Sequence, residues 1–315
     1  MPEASLKLPV LCLAGPTGAG KTALALQLAA ELQGEVVNCD SRQLYKDFSI
    51  ITAQPSKEEQ SQCPHHLYGW LATEKTMDVA AWIKLAKAKI LDIRSRGHLP
   101  LLVGGTGMYF QHLLHGIASI PPVDAAIHEE LLQRVEKEGS PALHAELALH
   151  DPKLAERLHP NDKQRIVRGL EVALGTPHCL TWWHANAQGT PPCRGLLLCI
   201  SQSIAELEPR LARRIDIMLD MGAVEEAKRA LELCPDGKAP GWSGIGCQEL
   251  FQYLHKKLTM EETKTLWLKN TRAYARRQII WFRGRKEAVF IKPDDLDSAL
   301  RCWRALPDEA AAVLP

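Results

Sequence analysis

Gly15, Pro16, Thr17, Gly18, Ala19, Gly20, Lys21 and Thr22 spell GxxxxGK[ST] without a mismatch. An apolar run, Leu8 to Ala14, precedes them, and a helix-forming stretch follows. Phosphate chemistry requires that context. Glycines let backbone N–H groups curl around phosphate oxygens, and a helix N-terminus adds partial positive charge. Lys21 adds a full charge, and the Thr22 hydroxyl can hold Mg²⁺. The motif predicts a di- or triphosphate ligand on Gly15 to Thr22. An ordinary P-loop nucleoside triphosphatase also carries an acid at the end of another strand to hold the metal. Here Leu101-Leu102-Val103 runs into Gly104-Gly105-Thr106 with no acid. The loop is therefore open to a diphosphate whose γ-phosphate chemistry is absent.

Asp40 is the acid that does stand at a strand end. In a doubly wound sheet that position opens on the ligand crevice beside the phosphate loop. A carboxylate there can bind magnesium water or act as a general base. It can equally cap the next helix, a place that Asp favours. Position alone leaves both open.

The chain carries DSRQLYK at 40–46, TAQP at 52–55, HHL at 65–67 and GGTGMY at 104–109. Further on come QRIVRGLEV at 164–172, RIDIMLDMGAVEEA at 214–227, GIGCQE at 244–249 and TRAYARRQIIWFR at 271–283. With GPTGAGKT at 15–22, this set resembles the tRNA dimethylallyltransferases, also called tRNA isopentenyltransferases, in order and spacing. The resemblance reaches about residue 290. No C-terminal zinc finger of the kind many eukaryotic members carry follows, so a bacterial-type member is expected.

The resemblance implies transfer of a dimethylallyl group from its diphosphate to N6 of the adenine immediately 3′ of the anticodon, in tRNAs reading codons that begin with U. It implies Mg²⁺ as cofactor, with diphosphate on Gly15 to Thr22. By the same resemblance Asp40 is the general base, Thr106 sits at diphosphate and adenine, and Lys21 and Arg214 stabilise the diphosphate. The tRNA anticodon stem-loop would meet Asp40, Ser41, Arg42, Gln43, Thr106 and His128. It would also meet Gln164, Arg165, Ile166, Val167 and Arg168, then Gly244, Ile245, Gly246, Cys247, Gln248 and Glu249, and finally Arg276, Arg277, Gln278 and Arg283. Three places depart from the pattern: Gln54 where lysine is common, Cys247-Gln248 where Tyr-Lys is common, and His128 where arginine is common.

The residue types suit that reaction. An exocyclic adenine amine is a poor nucleophile, and a carboxylate accepting its hydrogen bond localises the lone pair as the C–N bond forms. Charge builds on the leaving diphosphate, where Lys21, loop N–H groups and Arg214 would stabilise it. A base in an RNA loop must leave its stack to reach such a crevice.

Between Lys264 and Lys286 stand eight Lys or Arg and no Asp or Glu. At about 100° per residue, Lys269, Arg272, Arg276 and Arg283 share one helix face. Leu268, Ala275, Ile279 and Phe282 share another, fit to pack on the core. Trp267, Tyr274 and Trp281 make a third stripe, read as core. The local absence of acids favours a phosphate-contacting surface over a merely solvated one. His65 and His66 after Cys63 lack a second ligand cluster at metal-site spacing, and are read as a polar loop shaping the site.

The elements that must position these groups read as alternating strands and helices. Strands are expected at Leu8–Ala14, Glu35–Cys39, Leu99–Val103, Leu196–Ile200 and Ala288–Ile291, and helices at Thr22–Leu32 and Val79–Arg96. This is an α/β fold: a P-loop doubly wound parallel sheet with a helical insertion domain and a helical C-terminal region. The expected divisions are 1–121, a helical insertion at 122–194 that grips tRNA, and 195–315.

Composition agrees. The 315 residues are 46% hydrophobic and 24% charged, which excludes disorder, collagen and coiled coil. A net charge of +1 confines any nucleic-acid affinity to a local patch. Nine scattered cysteines without a CxxC pair fit reduced thiols. Met1 to Ser5 carry no basic leader, and no apolar run approaches a membrane span. A cytoplasmic protein is expected, with a monomer as the default. The P-loop alone would also suit a small-molecule kinase, and loss of catalysis would leave an RNA-binding protein. Intact Lys21, Thr22, Asp40 and Thr106, with the basic helix, favour the prenyl-transfer reading.

Overall fold

A computed structural model describes residues 8–187 and 189–306. Met1 to Ser5, read for a leader, lie outside the described residues. The chain begins β1 (Leu8–Ala14), α1 (Lys21–Leu32), β2 (Gly34–Asn38), α2 (Lys57–Gln62), β3 (His65–His66), α3 (Val79–Ser95), β4 (Leu99–Gly104) and α4 (Gly107–His115). Helices α5 (Ala125–Glu138), α6 (Ser140–His150), α7 (Pro152–Ala155), α8 (Lys163–Gly175) and α9 (Leu180–Asn186) follow. Then come β5 (Cys193–Ile200), α10 (Ile204–Asp220), α11 (Ala223–Leu233), a 3₁₀ turn at Pro240–Ser243, α12 (Cys247–Leu254), α13 (Met260–Arg283), β6 (Ala288–Ile291) and α14 (Leu296–Arg304).

Contacts divide the chain into two units. One holds the residues up to Leu114 and those from Pro192 onward, and the other is His115–Pro191. The sequence reading starts the insertion at 122, later than the unit does. The difference has a local cause. Gly189 N–H donates to Ile117 O at 3.0 Å and Ser119 N–H to Ala187 O at 2.9 Å, so the entering and leaving segments are bonded to each other before the first helix.

In the first unit the strands form one parallel sheet in the order β3-β2-β4-β1-β5-β6. Side chains alternate between its faces. Val10, Cys12, Ala14, Leu102, Leu197 and Cys199 enter one core, where α3 adds Trp82, Ala86, Ile90 and Ile93. Leu11, Leu13, Leu101, Val103, Leu198 and Ile200 enter the other, under Leu24, Leu28 and Leu32 of α1 and Leu207 and Leu211 of α10. Helices on both faces explain why the strands read as unbroken apolar runs.

Strand β3 corrects the polar-loop reading of His65 and His66. They pair in register with Val36 and Val37 at the sheet edge. Two polar residues give no alternation to detect. His65 Nδ1 meets Cys63 O at 2.9 Å, while the partner of His66 is Glu35 of β2, 2% exposed, whose carboxylate meets His66 Nε2 at 2.6 Å, His98 Nδ1 at 2.5 Å and Arg96 at 2.6 Å.

The second unit is all helical among its described residues. Leu131, Val135, Leu143, Leu147, Ala155, Ile166, Val167 and Leu170 form its core. No helix among the described residues is long and apolar enough to cross a membrane. All nine cysteines are free, seven of them buried.

Candidate active site

Strand β1 delivers the chain to Gly15, and the loop closes over the first turn of α1. Gly18 (φ 79°) and Gly20 (φ 87°) take left-handed conformations that let the loop curl without steric cost. Lys21 Nζ donates to Gly15 O at 3.0 Å and Pro16 O at 2.9 Å, so the ammonium is folded back on its own loop. Thr17 N–H donates to the side chain of Gln278 on α13 at 2.9 Å.

The second and third pieces come from adjacent strands. Just past β2, Asp40 is fixed from both sides. Its N–H donates to Asn38 Oδ1 at 2.8 Å, and its Oδ1 accepts from Arg42 N–H at 2.9 Å. The following residues are turns and bends rather than a helix, so Asp40 closes a local turn and caps no helix. After β4, Thr106 N–H donates to Cys39 O, and Thr106 Oγ1 accepts from Ser41 N–H at 2.9 Å. Gly104 permits this crossing, because a Cβ there would stand 2.1 Å from Cys39 O.

These loops border a crevice with two lobes. One, about 360 Å³, is lined by Gly18 to Thr22, Gln43, Tyr68, Arg210 and Arg214. The other, about 240 Å³, is lined by Arg42, Ile215, Met218, Trp267, Tyr274 and Arg277 among others. Thr17, Asp40, Thr52 and Arg214 border both. The first lobe is cationic, and the second mixes apolar walls with a polar mouth. Burial lowers the Lys21 ammonium to about 8, with Asp40 pulling it up and Arg214 pushing it down. Burial also lowers the Arg214 guanidinium, against the pull of Asp40. The phenols of Tyr68 and Tyr274 are raised by burial and then by Asp40. Neutral phenols and the Lys21, Arg210 and Arg214 cations thus stand around Asp40, with Glu59 as a second carboxylate on the wall of the first lobe.

Several residues expected at an RNA surface are interior. Ile166 and Val167 sit in the second unit's core. Gly244, Gly246, Cys247 and Glu249 are buried. Glu249 accepts from Gly246 N–H at 2.6 Å and from Asn270 at 2.6 Å, which makes it a cap that stiffens the segment. Gln278 is 5% exposed and faces the phosphate loop instead. Gln248 is half-buried, while Ile245 and Arg277 do line the second lobe. Arg276 and Arg283 are exposed on α13. In the second unit, Gln164 is exposed, Arg165 pairs with Asp162, and Arg168 and His128 both meet Glu171.

The third stripe of α13 is not simple core. Trp267 and Tyr274 wall the second lobe, and Trp281 carries Arg285 stacked at 4.0 Å. The acid-free run is also partly neutralised from outside, by Asp216 on Lys264 and Glu208 on Arg272. Arg210 escaped the sequence reading although it stands one turn before Arg214 on α10. Gln54, in the lysine position, is spent on its own loop, donating to Tyr45 O at 2.8 Å.

Thr22 and Asp40 supply only oxygen donors to the phosphate lobe, and among the described residues no cluster of three His, Cys, Asp or Glu could hold a metal. Such a donor set fits Mg²⁺, which keeps waters and takes substrate phosphates as ligands.

Fold and crevice define a P-loop α/β protein with a cationic lobe that meets a mixed one at Asp40. The chain belongs to the IPP transferase family, whose pattern it matches over residues 43–285. It is 56% identical over 294 residues to a tRNA dimethylallyltransferase of Desulfovibrio desulfuricans, covering 93% of this chain and 91% of that protein. The crystal structure of the full-length tRNA isopentenylpyrophosphate transferase of Bacillus halodurans superposes with a TM-score of 0.71 at 30% identity, over 97% of this chain and 98% of that one. A eukaryotic dimethylallyltransferase acting on tRNA gives a TM-score of 0.78 at 28% identity, over 97% and 80% respectively.

Proposed function

We propose that this chain moves the dimethylallyl group of dimethylallyl diphosphate to N6 of the adenine 3′-adjacent to the anticodon, in tRNAs reading codons that begin with U, and releases diphosphate. The observation that carries the reading is the placing of Asp40 at the seam of the cationic lobe and the mixed one. A diphosphate in the first lobe sends its prenyl carbon toward that seam, and a base entering the second brings its amine to the same carboxylate. The amine nitrogen forms a bond to C1 of the prenyl group as the C1–O bond to diphosphate breaks. Asp40 accepts the amine proton, and Thr106, tied to Ser41, holds the neighbouring loop at that point. Lys21 leaves its loop carbonyls for the phosphate, joined by loop N–H groups and Arg214. Thr22 would help hold Mg²⁺, which neutralises charge on the leaving group when bound. Exposed Arg276 and Arg283 supply cations for RNA phosphates.

The test is transfer of label from dimethylallyl diphosphate to unmodified tRNA, compared with free adenylate, with ATP hydrolysis as a control. Labelling of tRNA alone supports the reading. Labelling of adenylate alone, or phosphate release from ATP without transfer, would refute it.

A further inference from the structure

Gln278 joins the two halves of the site through its amide. Its Oε1 accepts from Thr17 N–H at 2.9 Å, and its Nε2 donates to Gly105 O at 3.0 Å. Thr17 lies at the tip of the phosphate loop, and Gly105 immediately precedes Thr106. The bridged residues thus belong to the loops that follow β1 and β4. The side chain is 5% exposed, so it competes for neither bond with bulk water. A buried amide with both ends satisfied holds its partners at a fixed separation, and no apolar side chain of the same size can do so.

We infer that Gln278 is a positioning residue for the transfer, setting the distance between the diphosphate and the Thr106–Asp40 side of the crevice. This rests on the prenyl-transfer reading. The phosphate loop is otherwise anchored by β1 and α1, and the Thr106 loop by β2 through Cys39 O and Ser41 N–H. Gln278 is a direct side-chain bond between them. It reaches the site from α13, whose neighbouring Arg276 and Arg277 are exposed, so one helix presents cations outward and the bridge inward.

Two variants test this. Gln278→Met keeps the volume and removes both bonds. Gly105→Ala attacks the same contact from the other side, because a Cβ there would stand 2.1 Å from Gln278 Nε2. Dimethylallyl diphosphate KM, kcat, the Kd of inorganic pyrophosphate with Mg²⁺, tRNA Kd and the melting temperature are measured for each variant, for the double variant and for the wild type. Each single variant should lose roughly tenfold or more in kcat over KM for the diphosphate. Pyrophosphate affinity should weaken with it, tRNA affinity should stay within about twofold, and the double variant should lose little beyond either single one. Retention of wild-type diphosphate kinetics and pyrophosphate affinity by a folded variant would overturn the inference. So would a loss confined to tRNA Kd, which would return Gln278 to RNA contact. If Gln278→Met unfolds, Gly105→Ala decides by the same measurements. A wild-type protein that transfers nothing to tRNA would defeat the functional reading itself, whereas pyrophosphate affinity still reports on the bridge.

Discussion

Ser41 N–H donates to Thr106 Oγ1 across 2.9 Å, and this bond ties the loop after β2 to the loop after β4. The two strands are neighbours in the sheet, so their carboxyl ends open on the same crevice. Asp40, one residue before Ser41, inherits its position from that tie.

Thr106→Val should strand the Ser41 N–H. The local cost is about 1–3 kcal/mol. The melting temperature should fall by several degrees at most, roughly 2–4 °C per kcal/mol, while kcat falls by roughly ten- to a hundredfold. Thr106→Ser should recover most of the rate. Steady-state kinetics beside a thermal melt check both.

Lys21 predicts a pH dependence of diphosphate binding. Burial holds its ammonium at about 8 in the free protein, so the cation is present below that pH and lost above it. A bound dianionic diphosphate favours the charged form. Pyrophosphate affinity should therefore weaken as pH rises through about 8, with proton uptake on binding near that value. Calorimetric titration from pH 6.5 to 9.5, values taken as about 1.5 units either side of that point, should show a bend that is missing in Lys21→Met.

Glu35 predicts a pH dependence of stability at the far end of β2. Burial pushes its carboxyl up, but hydrogen bonds from Arg96, His66 and His98 outweigh this and hold it at about 2. A depressed folded pKa gives stability that is full above the unfolded value of about 4.3 and is lost as pH falls toward 2. Arg96 and His98 are half exposed, so the contribution is discounted to about 1–2 kcal/mol. Urea midpoints of wild type and Glu35→Gln should differ at pH 7 and converge as pH falls from about 4.5 toward 2.

The cations of α13 predict a salt effect. Arg276 and Arg283 are exposed, unlike Arg272 and Lys264, which α10 acids engage. Arg276→Ala with Arg283→Ala should weaken tRNA binding and lower the slope of log K against log salt by roughly 1–2. Pyrophosphate affinity should not change. Arg272→Ala should have the smaller effect on RNA.

Much of this was legible in the residues. The phosphate loop was readable because its glycines, Lys21 and Thr22 must lie in one unbroken stretch between a strand and a helix. The parallel sheet was readable because strands buried on both faces are apolar at every position, as Val10 to Ala14 are. What hid was whatever depends on pairing between distant segments. His65 and His66 form a strand only because Val36 and Val37 lie beside them. Gln278 looked like part of a basic RNA-facing run, since helical periodicity does not reveal which polar residue finds a buried partner. Ile166, Val167, Cys247 and Glu249 show the same limit from the other side. A motif marks a stretch of chain, and burial then decides which of its side chains can meet a ligand. Trp267, read as core, is buried in it and also lines a cavity, while Tyr274 walls that cavity without joining the core, and a wall has the same apolar periodicity as a core.

The most direct test of the account is single-turnover transfer from dimethylallyl diphosphate to unmodified tRNA by Asp40→Asn. The amide oxygen can still accept the Arg42 N–H, so the turn is retained while the proton acceptor is lost. The account predicts a transfer rate lower by roughly 10²–10⁴ with pyrophosphate affinity kept. Transfer within a few-fold of wild type would contradict it, and would leave Asp40 as the residue that merely closes its turn.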